Sequence, residues 1–258
     1  MNMHDLNVGR YLKRIGYDGN AAPTAQTLRD LQFAHLRTVP YENLDIVRGI
    51  PLSLEIPALE DKIVSRHRGG YCFELNALYG ALLQALGYEV EVYFARFLLG
   101  EETIPMRRHQ VLAVAIPGSG EVYLSDVGVG VGSPNFPLLL QEGLEQAIGS
   151  LHYRFLKDTF LEWVLSFATG DGPYRPLFSF TEEPQLPIDF VATSFYCERS
   201  PDSRFNKQDM VALRTETGRY TLDGDTFKHF DGDSVTAWVE ETPVKRAETL
   251  QRTFGITL

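Results

Sequence analysis

The chain has 258 residues, 44% of them hydrophobic, and a formal net charge of −10. That is enough to bury one large core or two to three small ones, and the acidic balance argues against nucleic acid as a general partner. There is no run of about 18 apolar residues to span a membrane, Met1 to Asp5 lack the charged-then-apolar layout of a signal peptide, and only Cys72 and Cys197 are present, so the expectation is a soluble, cytoplasmic protein in a reducing compartment.

The first part reads as helical. Helices are predicted from Asp5 to Ile15, closed by Gly16; from Thr24, as cap, to Leu36; and from Pro57 to His67, with proline at the first helical position. Leu28, Leu31, Ala34 and His35 fall on one stripe, as do Leu59, Ile63 and His67, which casts His35 and His67 as interface histidines. Next comes Arg68-Gly69-Gly70-Tyr71-Cys72, followed by Phe73, Ala77, Leu78, Ala81, Leu82 and Ala85 at helical spacing up to Gly87. The pattern predicts an amphipathic helix opening near Cys72, where unpaired N–H groups and the positive dipole end favour a thiolate. Taken singly, Cys72 also fits a small buried hydrophobe, as Cys197 does in Phe195-Tyr196-Cys197.

From Tyr88 the apolar period changes to two, and strand-like runs continue through Trp163–Phe167 to Phe178, which predicts a barrel. Within it, His109–Ile116, the turn Pro117–Gly120 and Val122–Val127 read as a hairpin. Pairing symmetric about the turn sets residue 111 opposite 126 and makes His109 and Asp126 diagonal neighbours on one face. A reactive cysteine needs a base and a group orienting that base, and His109 and Asp126 fit those roles, although a strand-start histidine and a pre-turn acid are the plain alternatives. Gly128, Gly130 and Gly132 after the strand mark a close backbone approach; they lack the spacing of a nucleotide fingerprint. The six histidines are scattered and no CxxC or HxxxH pair occurs, so no metal site is expected. Arg66, His67 and Arg68 before the cysteine, with Arg107 and Arg108 before the histidine, read either as solvated surface or as positive charge for an anionic cofactor. Further on, Tyr220–Leu222 and Phe227–Phe230 flank a turn at Asp223–Thr226, and Thr242-Pro243 opens a last helix ending at Gly255.

Over nearly the whole length the residues resemble the arylamine N-acetyltransferase family. Its Arg-Gly-Gly-aromatic-Cys motif stands at Arg68–Cys72, its histidine-led strand at His109–Leu112, its Asp-Val-Gly turn at Asp126–Gly128, and its Pro-aromatic-Glu-Asn-Leu motif at Pro40–Leu44; Pro176–Phe180, Ser200–Phe205 and Phe254–Ile256 match later segments. Two positions depart: Val129 where the family usually has an aromatic, and Arg108 where it often has threonine.

The resemblance implies an α+β fold with a cysteine-protease-like or transglutaminase-like core: an N-terminal helical bundle (1–86) carrying Cys72, a central β-barrel (87–195) carrying His109 and Asp126, and a C-terminal α/β lid (196–258). It implies transfer of an acetyl group from acetyl-CoA to an arylamine, aryl hydrazine or N-hydroxyarylamine by a ping-pong route through acetylated Cys72. It nominates Val129 and Gly130 beside the donor, and Phe205 with Val129 beside the acceptor. An amide synthase of antibiotic biosynthesis, a cysteine hydrolase on the same triad and a catalytically silent binding module are the alternatives.

Overall fold

The computed structural model describes residues 6–130 and 132–258; Asp5, the expected start of the first helix, and Val131 of the glycine turn lie outside them. The N-terminal third holds helices α1 (Val8–Arg14), α2 (Ala25–Thr38), α3 (Leu44–Val47), α4 (Ile56–Leu59) and α5 (Cys72–Ala85), with strand β1 (Tyr41–Glu42) between α2 and α3. The caps are those the side chains dictate: the Asn7 side chain accepts from the Arg10 N–H at 3.0 Å, and Thr24 from the Thr27 N–H at 3.1 Å.

The helix expected from Pro57 to His67 is interrupted. After α4 the chain adopts a π-helical turn, Glu60–Ser65, whose wider winding ends the stripe of Leu59 and Ile63 before it reaches residue 67. His67 is therefore exposed, with φ at +55°, and is no interface residue. His35 is one: it is fully buried and its Nδ1 lies 3.0 Å from the Tyr11 hydroxyl.

Helix α5 is less amphipathic than its apolar spacing predicts, because it is enclosed on both sides. Leu75, Leu78, Tyr79, Leu82 and Leu83 pack with the N-terminal helices, Leu112 and Val114, while Phe73 packs with Phe94 and Phe190. A helix buried nearly all round fixes the position of its first residue, Cys72, tightly.

Strands β2 (Glu89–Phe97), β3 (His109–Ala115), β4 (Val122–Ser125), β5 (Leu138–Leu139), β6 (Gln146–Ile148), β7 (Leu151–Asp158), β8 (Glu162–Thr169) and β9 (Arg175–Phe180) form one antiparallel sheet in the order β5-β4-β3-β2-β9-β8-β7-β6. It curls around Tyr93, Val111, Phe155, Leu165 and Phe178. Its two edges meet where the Gln146 side chain bonds both backbone groups of Leu139, at 2.8 and 3.0 Å, leaving a nearly closed barrel. In the hairpin, Leu112 sits opposite Ser125 and Ala115 opposite Val122, the register predicted from a symmetric turn.

Helix α6 (Asp189–Arg199) then leads to β10 (Met210–Arg214), β11 (Gly218–Asp223), β12 (Thr226–Asp231), β13 (Ser234–Val239) and α7 (Pro243–Phe254). These strands form a second sheet, β1-β10-β11-β12-β13, whose edge strand comes from the N-terminal segment. Helix α7 is capped by Thr242 and ends at Gly255 in the left-handed conformation, as read from sequence. Among the described residues no helix is long and apolar enough to cross a membrane.

Candidate active site

The segment leading into Cys72 is held by a buried ion network. Arg68 donates to Glu42 and Asp45 at 2.7 and 2.9 Å, and Lys62 to Asp45 and Glu74, both at 2.8 Å. Glu74, in the first turn of α5, accepts the Tyr71 N–H at 3.1 Å and closes the helix start; burial pushes its carboxyl up to about 7 although Lys62 opposes the shift. Gly69 is required here, since a Cβ would come within 2.0 Å of the Pro40 carbonyl oxygen. Arg68 is thereby consumed as a structural cation. Arg66 pairs with Asp61, Arg107 with Glu183 and Arg108 with Glu101, so the positive cluster read from sequence is largely neutralised.

On the barrel side, His109 Nε2 lies 2.8 Å from Asp126 Oδ2. The other carboxylate oxygen, Oδ1, accepts from Asn76 Nδ2 and from the Gly128 N–H, both at 2.8 Å. Burial raises the Asp126 pKa, but the His109 charge, the His109 and Asn76 hydrogen bonds and the Gly128 N–H outweigh it, holding the carboxyl below its usual value. An ionised Asp126 accepts only, so His109 carries its proton on Nε2 and keeps Nδ1 as the free basic nitrogen.

Asn76 is the residue that sequence reading missed. It lies one helical turn after Cys72, is fully buried, and also bonds the Gln110 carbonyl at 2.6 Å and the Val127 N–H at 3.0 Å. A polar side chain inside the run Leu75-Asn76-Ala77-Leu78, at i+4 from a candidate nucleophile, was the available signal. Gln32 supports the same turn, accepting from the Ser125 hydroxyl at 2.6 Å and donating to the Pro134 carbonyl at 3.2 Å. At Gly128 a Cβ would lie 2.6 Å from Asn76 Nδ2 and 2.7 Å from Cys72 Cα, so a side chain there would pry the aspartate turn from the cysteine helix.

Cys72 is the first residue of α5, 3% exposed, with Sγ 3.7 Å from the carbonyl oxygen of Arg108, the residue before His109. Burial pushes the thiol pKa up, as do charges on Cys197 and Asp126; the N–H groups of Phe73 and Gln110 pull it down without reversing the direction. Burial thus opposes the thiolate that the helix N-terminus favours. An ionised sulfur in so dry a place needs a proton acceptor beside it.

Cys72 and His109 open into one cavity of about 420 Å³, within the range of small-molecule sites. Val129, Gly130 and Phe205, nominated from sequence, all line it, together with Arg108 and Tyr41. Strands β10 to β12 supply the opposite kind of wall, with Ala212, Arg219, Thr221, Lys228 and Phe230, none of which the sequence reading singled out.

Residues 24–258 match the sequence model of an N-acetyltransferase family. The chain is 37% identical over 258 aligned residues to an arylamine N-acetyltransferase of Mycobacterium tuberculosis, covering 98% of this chain and 90% of that protein. The chain belongs to the arylamine N-acetyltransferase family. It is accordingly an acyltransferase enzyme. A solved Mycobacterium smegmatis arylamine N-acetyltransferase superposes with a TM-score of 0.91 at 35% identity, over 98% of this chain and 93% of that one. The Mycobacterium marinum enzyme, solved in complex with CoA, superposes with a TM-score of 0.88 at 34% identity, over 97% and 93%.

Proposed function

We propose that this enzyme moves an acetyl group from acetyl-CoA to an arylamine, aryl hydrazine or N-hydroxyarylamine through an acetyl-Cys72 intermediate. The observation that carries it is the opening of a helix-start cysteine and an aspartate-bonded histidine into one cavity. The same nucleophile-and-base arrangement on a helix and a barrel serves cysteine proteases and transglutaminases, and a core of that kind is part of the proposal.

In the first half-reaction His109 Nδ1 takes the Cys72 proton, and the thiolate attacks the thioester carbonyl. The tetrahedral adduct collapses, the C–S bond to CoA breaks, and the imidazolium returns the proton to the leaving sulfur. In the second half the amine nitrogen attacks the acetyl carbonyl, His109 takes the amine proton, and Cys72 leaves and recovers it. Asp126, bonded to Nε2, stabilises the imidazolium in both halves. Dividing the reaction lets one cavity serve donor and acceptor in turn. The family, and the M. marinum relative solved with CoA, support the choice of donor.

Incubation with acetyl-CoA alone is expected to release one equivalent of free CoA and leave one acetyl group on the peptide containing Cys72, read by mass mapping. Initial rates with both substrates varied should give parallel double-reciprocal lines. Acetyl transfer without CoA release before acceptor is added would replace the covalent route by direct transfer.

Val129 shapes the acceptor side of this reading. It is buried in the cavity wall where the family usually has an aromatic ring, a loss of apolar wall on the order of 100 Å² or less, worth roughly 1–2 kcal/mol with a small flat acceptor. Val129→Phe is expected to raise kcat/KM for a compact aryl hydrazine roughly tenfold and to penalise bulky acceptors or longer acyl donors. Equal responses of both classes would remove residue 129 from the specificity determinants.

A further inference from the structure

Two arginines face each other across the C-terminal sheet. Arg214 ends β10 and Arg219 sits directly opposite it near the start of β11, so both side chains leave the same face, an arrangement in which like charges repel. Among the described residues no carboxylate forms an ion pair with either.

Arg214 donates from Nη2 to the backbone oxygen of Ser133 at 2.6 Å and lies 3.3 Å from its hydroxyl. Arg219 lies over the Phe230 ring, 3.8 Å from its centroid. In each the Nε is buried without a partner, and burial lowers both guanidinium pKa values. Lys228, opposite Thr221 and so a diagonal neighbour of Arg219, adds a third cation that makes no ion pair among the described residues, and Arg219 and Lys228 both line the cavity shared with Cys72 and His109. Among the described residues one carboxylate lines the cavity, Asp223, and it accepts from the Gln208 side chain.

A sheet face that gathers cations with no carboxylate paired to them suits an anion that arrives from outside. We propose that Arg219 and Lys228 bind the phosphate groups of the CoA thioester donor, while Arg214, held to Ser133 outside the cavity lining, only backs Arg219. A single carboxylate would leave this face positive, whereas phosphoryl groups offer the multiple oxygens and charges that guanidinium forks match. The inference rests on the acetyl-CoA reading above. Free inorganic phosphate has the same chemistry and is the other source such a site accepts.

The test compares acetyl-CoA with S-acetylpantetheine, which carries a thioester on the same arm without the phosphates. The wild-type enzyme should prefer acetyl-CoA by at least about tenfold in kcat/KM, and Arg219→Gln should erase most of that preference through KM, with Arg219→Lys retaining part of it. Inorganic phosphate should raise the KM for acetyl-CoA in the wild type and lose that effect in Arg219→Gln. An equal loss with both donors would overturn the proposal, because Arg219 would then only support the fold. Equal use of both donors by the wild type, with phosphate still bound, would assign the site to a free anion and overturn it too. No transfer from either donor would remove the acetyltransferase reading itself, and this inference with it.

Discussion

Cys72→Ser is expected to reduce acetyl transfer by at least about a thousandfold while leaving the fold in place. The change swaps sulfur for a smaller oxygen in a cluster with Ile46, Tyr71, Phe73 and Phe190, where one added polar atom destabilises by about 1–2 kcal/mol, or a few degrees in Tm for a chain of this size. Chemistry suffers far more. Burial and the nearby charge of Asp126 already resist ionisation of the thiol, and a hydroxyl is much harder still to deprotonate. Initial rates and a thermal melt separate the two effects: acetylation above background by a folded serine variant would sink the assignment of the nucleophile. Alkylation provides a companion reading. Cys197 is buried, its pKa pushed up to about 12, and it should resist iodoacetamide at neutral pH, whereas Cys72, with the cavity before it and His109 as its proposed proton acceptor, should be labelled.

Much of the site was legible because it is local. Cys72 at a helix start follows from two glycines running into a helical period, and the His109–Asp126 contact follows from a symmetric hairpin, whose observed register sets Leu112 opposite Ser125. Helix α7 was readable from Thr242, Pro243 and Gly255 alone. In these cases the information lies within a few residues of the feature it specifies.

What escaped depends on contacts far apart in the chain. Arg68 reads as a cation available to a ligand until Glu42 and Asp45 are folded against it. His67 sits on an apolar stripe only if the preceding helix keeps its period, and the π-helical turn at Glu60–Ser65 breaks it. The thiolate expected at the helix start is opposed for a related reason: the helix dipole acts locally, while the desolvation that pushes the thiol pKa up comes from the elements packed around Cys72, α6 among them. The cationic sheet face of Arg214, Arg219 and Lys228 appears only when three strands are placed in register.

Asp126→Asn tests the part of the mechanism that the geometry defines best. The carboxylate has two separate duties: Oδ2 bonds His109, and Oδ1 is tied to Asn76 and the Gly128 N–H. An asparagine can keep the second by presenting its oxygen there, which places its amide NH₂ against His109 Nε2. The imidazole must then accept at Nε2 and carry its proton on Nδ1, the wrong tautomer for a base, and the imidazolium loses its counter-charge. One consequence runs the other way, since removing the Asp126 charge also eases ionisation of the Cys72 thiol. The direct bond at 2.8 Å outweighs that more distant influence. The expected net result is a loss of at least about a hundredfold in kcat/KM, about 2.7 kcal/mol of transition-state stabilisation, together with slower alkylation of Cys72 at neutral pH. Asn76→Ala in the same background should add little if, as proposed, Asn76 acts on catalysis through its bond to Asp126; full additivity of the two changes would show that Asn76 acts by another path. Near-normal turnover of Asp126→Asn would make the aspartate a turn-building residue and leave His109 without an orienting partner in the mechanism.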